Sequence, residues 1–246
     1  MEATPIYETR RLLDEYLLFH YGTADEIMPW SFGPREALDF PVRTVRNLID
    51  SEILPQQARA LDLGCAVGRS SFELATFCES VIGIDYSHSF IHAANELKAS
   101  GFMPYKAAQE GSLTQDLIAH VPADLPRGNV HFEQGDAMNL RTDLGSFDLV
   151  HAANLLCRLS EPQKLIARLP ELVAPGGQLL LTTPCTWLAD FTPPEHWPQG
   201  TTRDWLKQHL STHFTLAAEQ DLPFVIREHA RKFQWTVAWA SRWVRR

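Results

Sequence analysis

The sequence is sparing with cysteine. Its 246 residues hold four, Cys65, Cys78, Cys157 and Cys185, and no two of them form a CxxC pair or a zinc-ligand spacing. That speaks against a disulfide scaffold and a structural zinc site, and reduced thiols in a cytoplasmic protein are expected. Long apolar runs are also missing, since none approaches the roughly 18–20 residues of a membrane span. Met1-Glu2-Ala3-Thr4-Pro5 carries neither a basic patch nor a following apolar segment, so no secretory signal is expected. Positive charge is short, 22 Lys and Arg against 30 Asp and Glu for a net charge of −8, which disfavours a nucleic-acid partner. No HExxH pattern occurs. His88 and His92, like His209 and His213, stand four apart without a third ligand and are read as solvent-facing, so no metal is expected. Repeats and low-complexity tracts are absent. What remains is a chain 45% apolar, enough for a substantial core in one domain.

The order of patterns is informative. Leu12, Leu13, Tyr16 and Leu17 share a helical face, and a second helix is expected from Pro41 with Val42, Val45, Leu48 and Ile49 buried. Together residues 1–54 read as a helical cap. From Arg59 strands alternate with helices: strands at 60–63, 81–85, 130–133, 147–151 and 178–182, helices at 67–78, 87–99 and 161–173. Such alternation implies a parallel sheet covered by helices on both faces. The stretch 101–129 reads as an insertion or lid with a short helix over Leu113–His120. Thr201-x-x-Asp204 resembles a helix capping box. Residues 214–226 and 233–244 then form an antiparallel hairpin on the sheet edge, where Trp235, Trp239 and Trp243 fall on one face.

The most telling segment is Asp62-Leu63-Gly64-Cys65-Ala66-Val67-Gly68. Glycines after a first strand allow a sharp turn and close approach to a ligand, and Asp85, ending the next strand, suits ribose hydroxyls. A dinucleotide fingerprint fails here, because Ala66 and Arg69 stand where its second and third glycines belong. Asp62 would repel a diphosphate but favour a cationic ligand such as S-adenosylmethionine (AdoMet).

Asp62-x-Gly64-x-x-x-Gly68, Asp85, Gly135-Asp136-Ala137 and Pro175-Gly176-Gly177 resemble class I AdoMet-dependent methyltransferases over about residues 55–185. The resemblance implies an α/β, Rossmann-like doubly wound sheet, mostly parallel with an antiparallel strand in the C-terminal hairpin. It also implies AdoMet as cofactor and S-adenosylhomocysteine as product. Gly64 would approach the amino acid end of AdoMet, Asp85 would hold the ribose and Asp136 the adenine amino group. Cys65, Gly68, Tyr86, Ser87, Ala137 and Asn154 would complete the cofactor set, with Tyr21 and Arg43 from the cap. Ala66 departs from the glycine common in that family.

Acceptor identity must come from outside this stretch. The blocks Tyr7-Glu8-Thr9-Arg10, Tyr16 to Gly22, Ala37 to Arg43, Thr183 to Leu188, and Ile226 to Trp235, with the 101–129 insertion, resemble the mercaptohistidine N-methyltransferases of ovothiol biosynthesis in free-standing form. That implies methyl transfer to an imidazole nitrogen of 4-mercaptohistidine, giving ovothiol A, and a functional pairing with an iron-dependent sulfoxide synthase. A zwitterionic amino acid calls for a cation and an acceptor. Arg43 or Arg227 is a candidate for its carboxylate, Arg43 alternatively for that of AdoMet, and Glu8 for its ammonium. Tyr7, Tyr21 and Trp187 are candidate walls for the ring, and Thr183 a further contact. Tyr7, Glu8 and Asn154 are the candidate catalytic residues, with Asn154 orienting AdoMet or the acceptor. His20, in an aromatic segment, reads as a structural histidine with a base role as the alternative. Two other readings stand beside this one: a methyltransferase for another small acceptor, and a non-catalytic AdoMet-binding partner.

Overall fold

The computed structural model describes residues 6–246. The cap holds α1 (Arg10–Tyr21), the single turn α2 (Ala24–Ile27) and α3 (Phe40–Arg46). Thr9 caps α1 by accepting from the Leu12 amide, and Pro41 occupies the first turn of α3. The alternating part follows as β1 (Arg59–Leu63), α4 (Arg69–Leu74), β2 (Ser80–Asp85) and α5 (His88–Ser100). After β3 (Phe102–Glu110) and β4 (Leu113–His120) come β5 (Val130–Gln134), β6 (Phe147–Ala153), α6 (Pro162–Leu172) and β7 (Val173–Thr183). Helix α7 (Thr202–Leu210), capped by the Thr201 hydroxyl, leads into β8 (Phe214–His229) and β9 (Lys232–Arg245).

Seven strands form one sheet in the order β5-β2-β1-β6-β7-β9-β8. The first five are parallel, and β9 lies antiparallel between β7 and β8. Alternation along the central strands divides the core into two layers. Ala60, Leu149 and Leu180 face the layer built with α1, α3, α4 and α5. Leu61, Val150, Leu179 and Leu181 face the layer built with α6 and α7. Pro223 sits in β8, the edge strand, where a missing amide donor is tolerated.

The insertion differs from expectation. Leu113–His120 is a strand, not a helix, and pairs antiparallel with β3 as a separate two-stranded sheet. Leu113 and Leu117 stand one helical turn apart, but cross-strand pairing decides the outcome. Ala119 packs opposite Met103, and Tyr105 and Ala107 point with it into the core. Among the described residues no helix is long and apolar enough to cross a membrane.

Candidate functional site

The strand order reverses between β1 and β6, and that crevice at the carboxyl ends of the strands is where open α/β sheets bind ligands. Three non-glycine residues with left-handed backbone cluster there: Ala66 after β1 (φ 48°), Asn154 after β6 (φ 53°) and Cys185 after β7 (φ 55°). Such conformations cost free energy and persist where the surroundings fix them, often at functional sites. A cavity of about 380 Å³ opens over these loops, within the range of small-molecule sites.

At its cofactor end, Gly64 contributes bare backbone (φ 69°), with Leu155 packed so closely that an added Cβ would stand 3.1 Å from its Cδ1. Asp85 reaches back to this turn. Its two carboxylate oxygens accept from the Ala66 and Ser87 amides, each at 2.9 Å. Burial nevertheless raises its pKa to about 6, the amide hydrogen bonds opposing. Asp136 lies further along the wall and accepts from the Met138 amide at 2.8 Å. Tyr86, Ser87 and Ala137 also line the cavity. Asn154 does too, its side-chain oxygen accepting from the Thr182 hydroxyl at 3.0 Å.

Other expected cofactor residues stand behind the wall. Asp62 is buried, and burial raises its pKa, but His151 and the Ser71 and Ser70 hydroxyls outweigh that and hold it below the usual carboxylate value. Ser70 and Ser71 donate to one oxygen at 2.7 and 2.6 Å, and His151 Nδ1 lies 2.7 Å from the other. Its capacity is used by the protein, so its role is to brace the turn. Cys65 is fully buried. Gly68 gives way to the Phe132 ring, 2.6 Å from where a Cβ would sit. Tyr21 donates its hydroxyl to the Val67 carbonyl at 2.8 Å. Arg43 is spent on two backbone carbonyls, Leu38 at 2.7 Å and Pro223.

The acceptor candidates divide in the same way. Tyr7 lines the cavity, pinned by Ser87, whose hydroxyl donates to its carbonyl at 2.9 Å, and by edge contacts with Tyr16 and Phe90. Burial raises its phenol pKa against the pull of Arg158. Glu8 instead crowns α5, accepting from the His88 and Ser89 amides at 2.9 and 3.1 Å and from the Ser89 hydroxyl at 2.7 Å. Thr183 is buried and accepts from the Cys185 amide. Trp187 donates to the Thr202 hydroxyl at 2.9 Å and packs edge-on against Trp205. Arg227 is buried away from the cavity on the carbonyls of Glu26 and Ala108.

Beyond the cofactor loops the cavity continues into a chamber whose walls the cofactor motifs do not mark. Tyr16, Phe19 and His20 come from α1, Phe40 from the start of α3, and Phe224 and Ile226 from β8. His20 stacks on Tyr16 with ring centres 5.8 Å apart. It is not a satisfied structural histidine: its buried Nδ1 has no hydrogen-bond partner, and burial pushes its pKa down to about 3, leaving it neutral. Arg158, in the 3-10 turn Leu156–Arg158 after β6, and Asp190 add charged groups to the lining. Tyr16, Phe19, His20, Phe40 and Ile226 fall in the blocks that carry the acceptor resemblance, whereas Phe224, Arg158 and Asp190 lie outside them and are brought in by the topology of the chain.

The residues fit AdoMet better than a dinucleotide. The glycine turn offers backbone for the methionyl part, Asp85 and Asp136 offer carboxylates for ribose and adenine, and Ile84, Ala137 and Leu155 supply apolar surface. Arg69, the cation nearest the turn in sequence, is held by Glu73 at 2.7 Å and is not free for a diphosphate.

Comparison with known proteins agrees with this geometry. Residues 32–230 match a family described as "Methyltransferase domain". The ubiquinone biosynthesis O-methyltransferase of Coxiella burnetii is 27% identical over 143 residues, 58% of this chain and 50% of that protein. The trans-aconitate 2-methyltransferase of Deinococcus radiodurans is 31% identical over 152 residues, 61% of this chain and 46% of that one. The chain thus spans about half the length of these curated relatives. The fold is shared with N-methyltransferase NodS from Bradyrhizobium japonicum WM9 in complex with S-adenosylhomocysteine, at TM-score 0.54 and 16% identity over 95% of this chain and 98% of that one. The sheet order, the loops at its switch point and the family match lead to one conclusion: the chain belongs to the methyltransferase domain family.

Proposed function

We propose that this protein transfers the methyl group of AdoMet to an imidazole nitrogen of 4-mercaptohistidine, giving ovothiol A. One observation supports the acceptor class above the others: the chamber contiguous with the cofactor cleft is walled by Tyr16, Phe19, His20, Phe40 and Phe224, a lining suited to a flat ring. AdoMet, when bound, supplies a methyl group already activated by its sulfonium centre. The protein's task is then to align the acceptor and exclude water, and alignment can be worth roughly 7–11 kcal/mol of barrier.

Selectivity is the harder requirement, because sulfur is the better nucleophile. Tyr16 and His20, stacked on one another, offer a wall along which the imidazole can lie with its sulfur turned from the donor. His20, neutral through burial, is suited to hold a hydrogen bond to the ring rather than to take its proton in full. The curated relatives named above carry other acceptors in their names, so another small acceptor is the second reading.

The test is direct. Purified protein is mixed with AdoMet and, separately, 4-mercaptohistidine, histidine and ergothioneine, and products are read by mass spectrometry and NMR. One methyl group on the imidazole nitrogen of mercaptohistidine is expected. Methylation on sulfur, or turnover only in a wider acceptor panel, would replace this reading. Multiple turnovers with any acceptor would dismiss a purely AdoMet-binding role.

A further inference from the structure

We propose that Arg158 is the anchor for the carboxylate of the methyl acceptor, which makes the chamber selective for amino acids over the corresponding amines. The proposal deepens the acceptor reading above and rests on it for the identity of the ring, but not for the carboxylate. Among the described residues lining the cavity, Arg158 is the only arginine or lysine. Its Nη1 is buried and has no hydrogen-bond partner. None of the ion pairs among the described residues involves it. A buried guanidinium N–H left unmatched is costly, and a carboxylate is the ligand whose two oxygens meet its fork.

The guanidinium is also held in place before any ligand arrives. It lies over the Phe191 ring at 4.5 Å, and the Tyr7 phenol is hydrogen-bonded to it. Its backbone is fixed by the Arg158 amide donating to the Leu155 carbonyl at 2.8 Å. Of the other arginines considered for this task, Arg43 is held by two backbone carbonyls and Arg227 lies on the carbonyls of Glu26 and Ala108, outside the cavity lining. Asp190 lines the same cavity and is exposed, offering a carboxylate for the acceptor ammonium. AdoMet also carries a carboxylate, and Tyr7, whose carbonyl accepts from Ser87, stands close to the cofactor residues as well as to the guanidinium, so the AdoMet arm of the experiment below separates the two sources.

The experiment uses the full chain loaded with S-adenosylhomocysteine and measures binding of histidine and histamine by calorimetry, for wild type, Arg158→Gln and Arg158→Lys. The expected result is that wild type prefers histidine, that Arg158→Gln weakens histidine roughly 10–100-fold while leaving histamine unchanged, and that Arg158→Lys recovers part of the loss. Wild type without that preference, or binding neither probe, would overturn the proposal, as would a preference that survives Arg158→Gln. AdoMet affinity measured on the same variants is expected to stay within about 2-fold. A larger loss would assign the guanidinium to the cofactor and equally overturn it. A parallel assay with 4-mercaptohistidine and 4-mercaptohistamine separates the two questions: methylation of neither by wild type defeats the mercaptohistidine reading, while the binding result still judges Arg158.

Discussion

His151 Nδ1 lies 2.7 Å from Asp62 Oδ1, and both side chains are only 1% exposed. The same imidazole meets the Thr44 hydroxyl with Nε2 at 3.0 Å, so strand β6, strand β1 and cap helix α3 are joined through one ring. Removing Asp62 strands three polar groups in the interior. Asp62→Ala is expected to cost roughly 3–5 kcal/mol of stability, read by urea denaturation. Because folding lowers the pKa of Asp62, its contribution is present above the ordinary carboxylate value and fades as pH falls through the lower folded value. The gap between wild type and Asp62→Ala is therefore expected to narrow at the acid end.

Asp85 is displaced in the opposite direction. With its pKa raised to about 6 by burial, it is an anion at neutral pH and gains a proton as pH falls through about 6. The anion is the form that accepts ribose hydroxyls, so AdoMet affinity is expected to weaken below pH 6 and to level off above it. Calorimetric titration from pH 5 to 8 checks this, and Asp85→Asn is expected to bind weakly with a flat profile. For stability the sign reverses: a raised carboxyl pKa favours the folded state below the unfolded value, and that contribution is lost as pH rises through about 6.

Ala66 holds a left-handed backbone at φ 48° while its amide serves Asp85. Glycine relieves about 1–2 kcal/mol of steric cost at such a position but adds about 0.4–1 kcal/mol of unfolded-state entropy. Ala66→Gly is thus expected to stabilise the protein by roughly 0.5–1 kcal/mol, with AdoMet affinity retained, as seen in denaturation and binding measurements.

Glu8 caps α5 from outside the helix. Glu8→Ala is expected to lower stability by about 1 kcal/mol, the usual scale of a lost cap, and to leave the acceptor KM unchanged. A selective rise in that KM would instead return Glu8 to the acceptor site.

Much of this fold is legible in the residues. The unbroken apolar run Leu179-Leu180-Leu181 encodes a strand buried on both faces, and Ser87 and Thr201 announce helix starts that the structure bears out. Leu113–His120 misleads because local spacing is silent about Met103 and Tyr105, the partners across the hairpin. The cofactor end of the site is similarly local, since Gly64 and Asp85 sit at strand ends that the pattern locates. The acceptor end is not. Arg227 and Trp187 have the right chemistry for it, but buried carbonyls and the Thr202 hydroxyl claim them first, and neither competitor is adjacent in sequence.

The chamber is closed by Phe19 and Phe40 meeting Phe224, with ring centres 6.2 and 4.6 Å away across some two hundred residues of chain. Contacts of such separation carry the loop-closure entropy of most of the chain. The cofactor turn, held by Asp85 and Ala66 only 19 residues apart, needs no such closure. Choice of acceptor therefore depends on contacts that span most of the chain, and a change that loosens either the cap or β8 is expected to alter it.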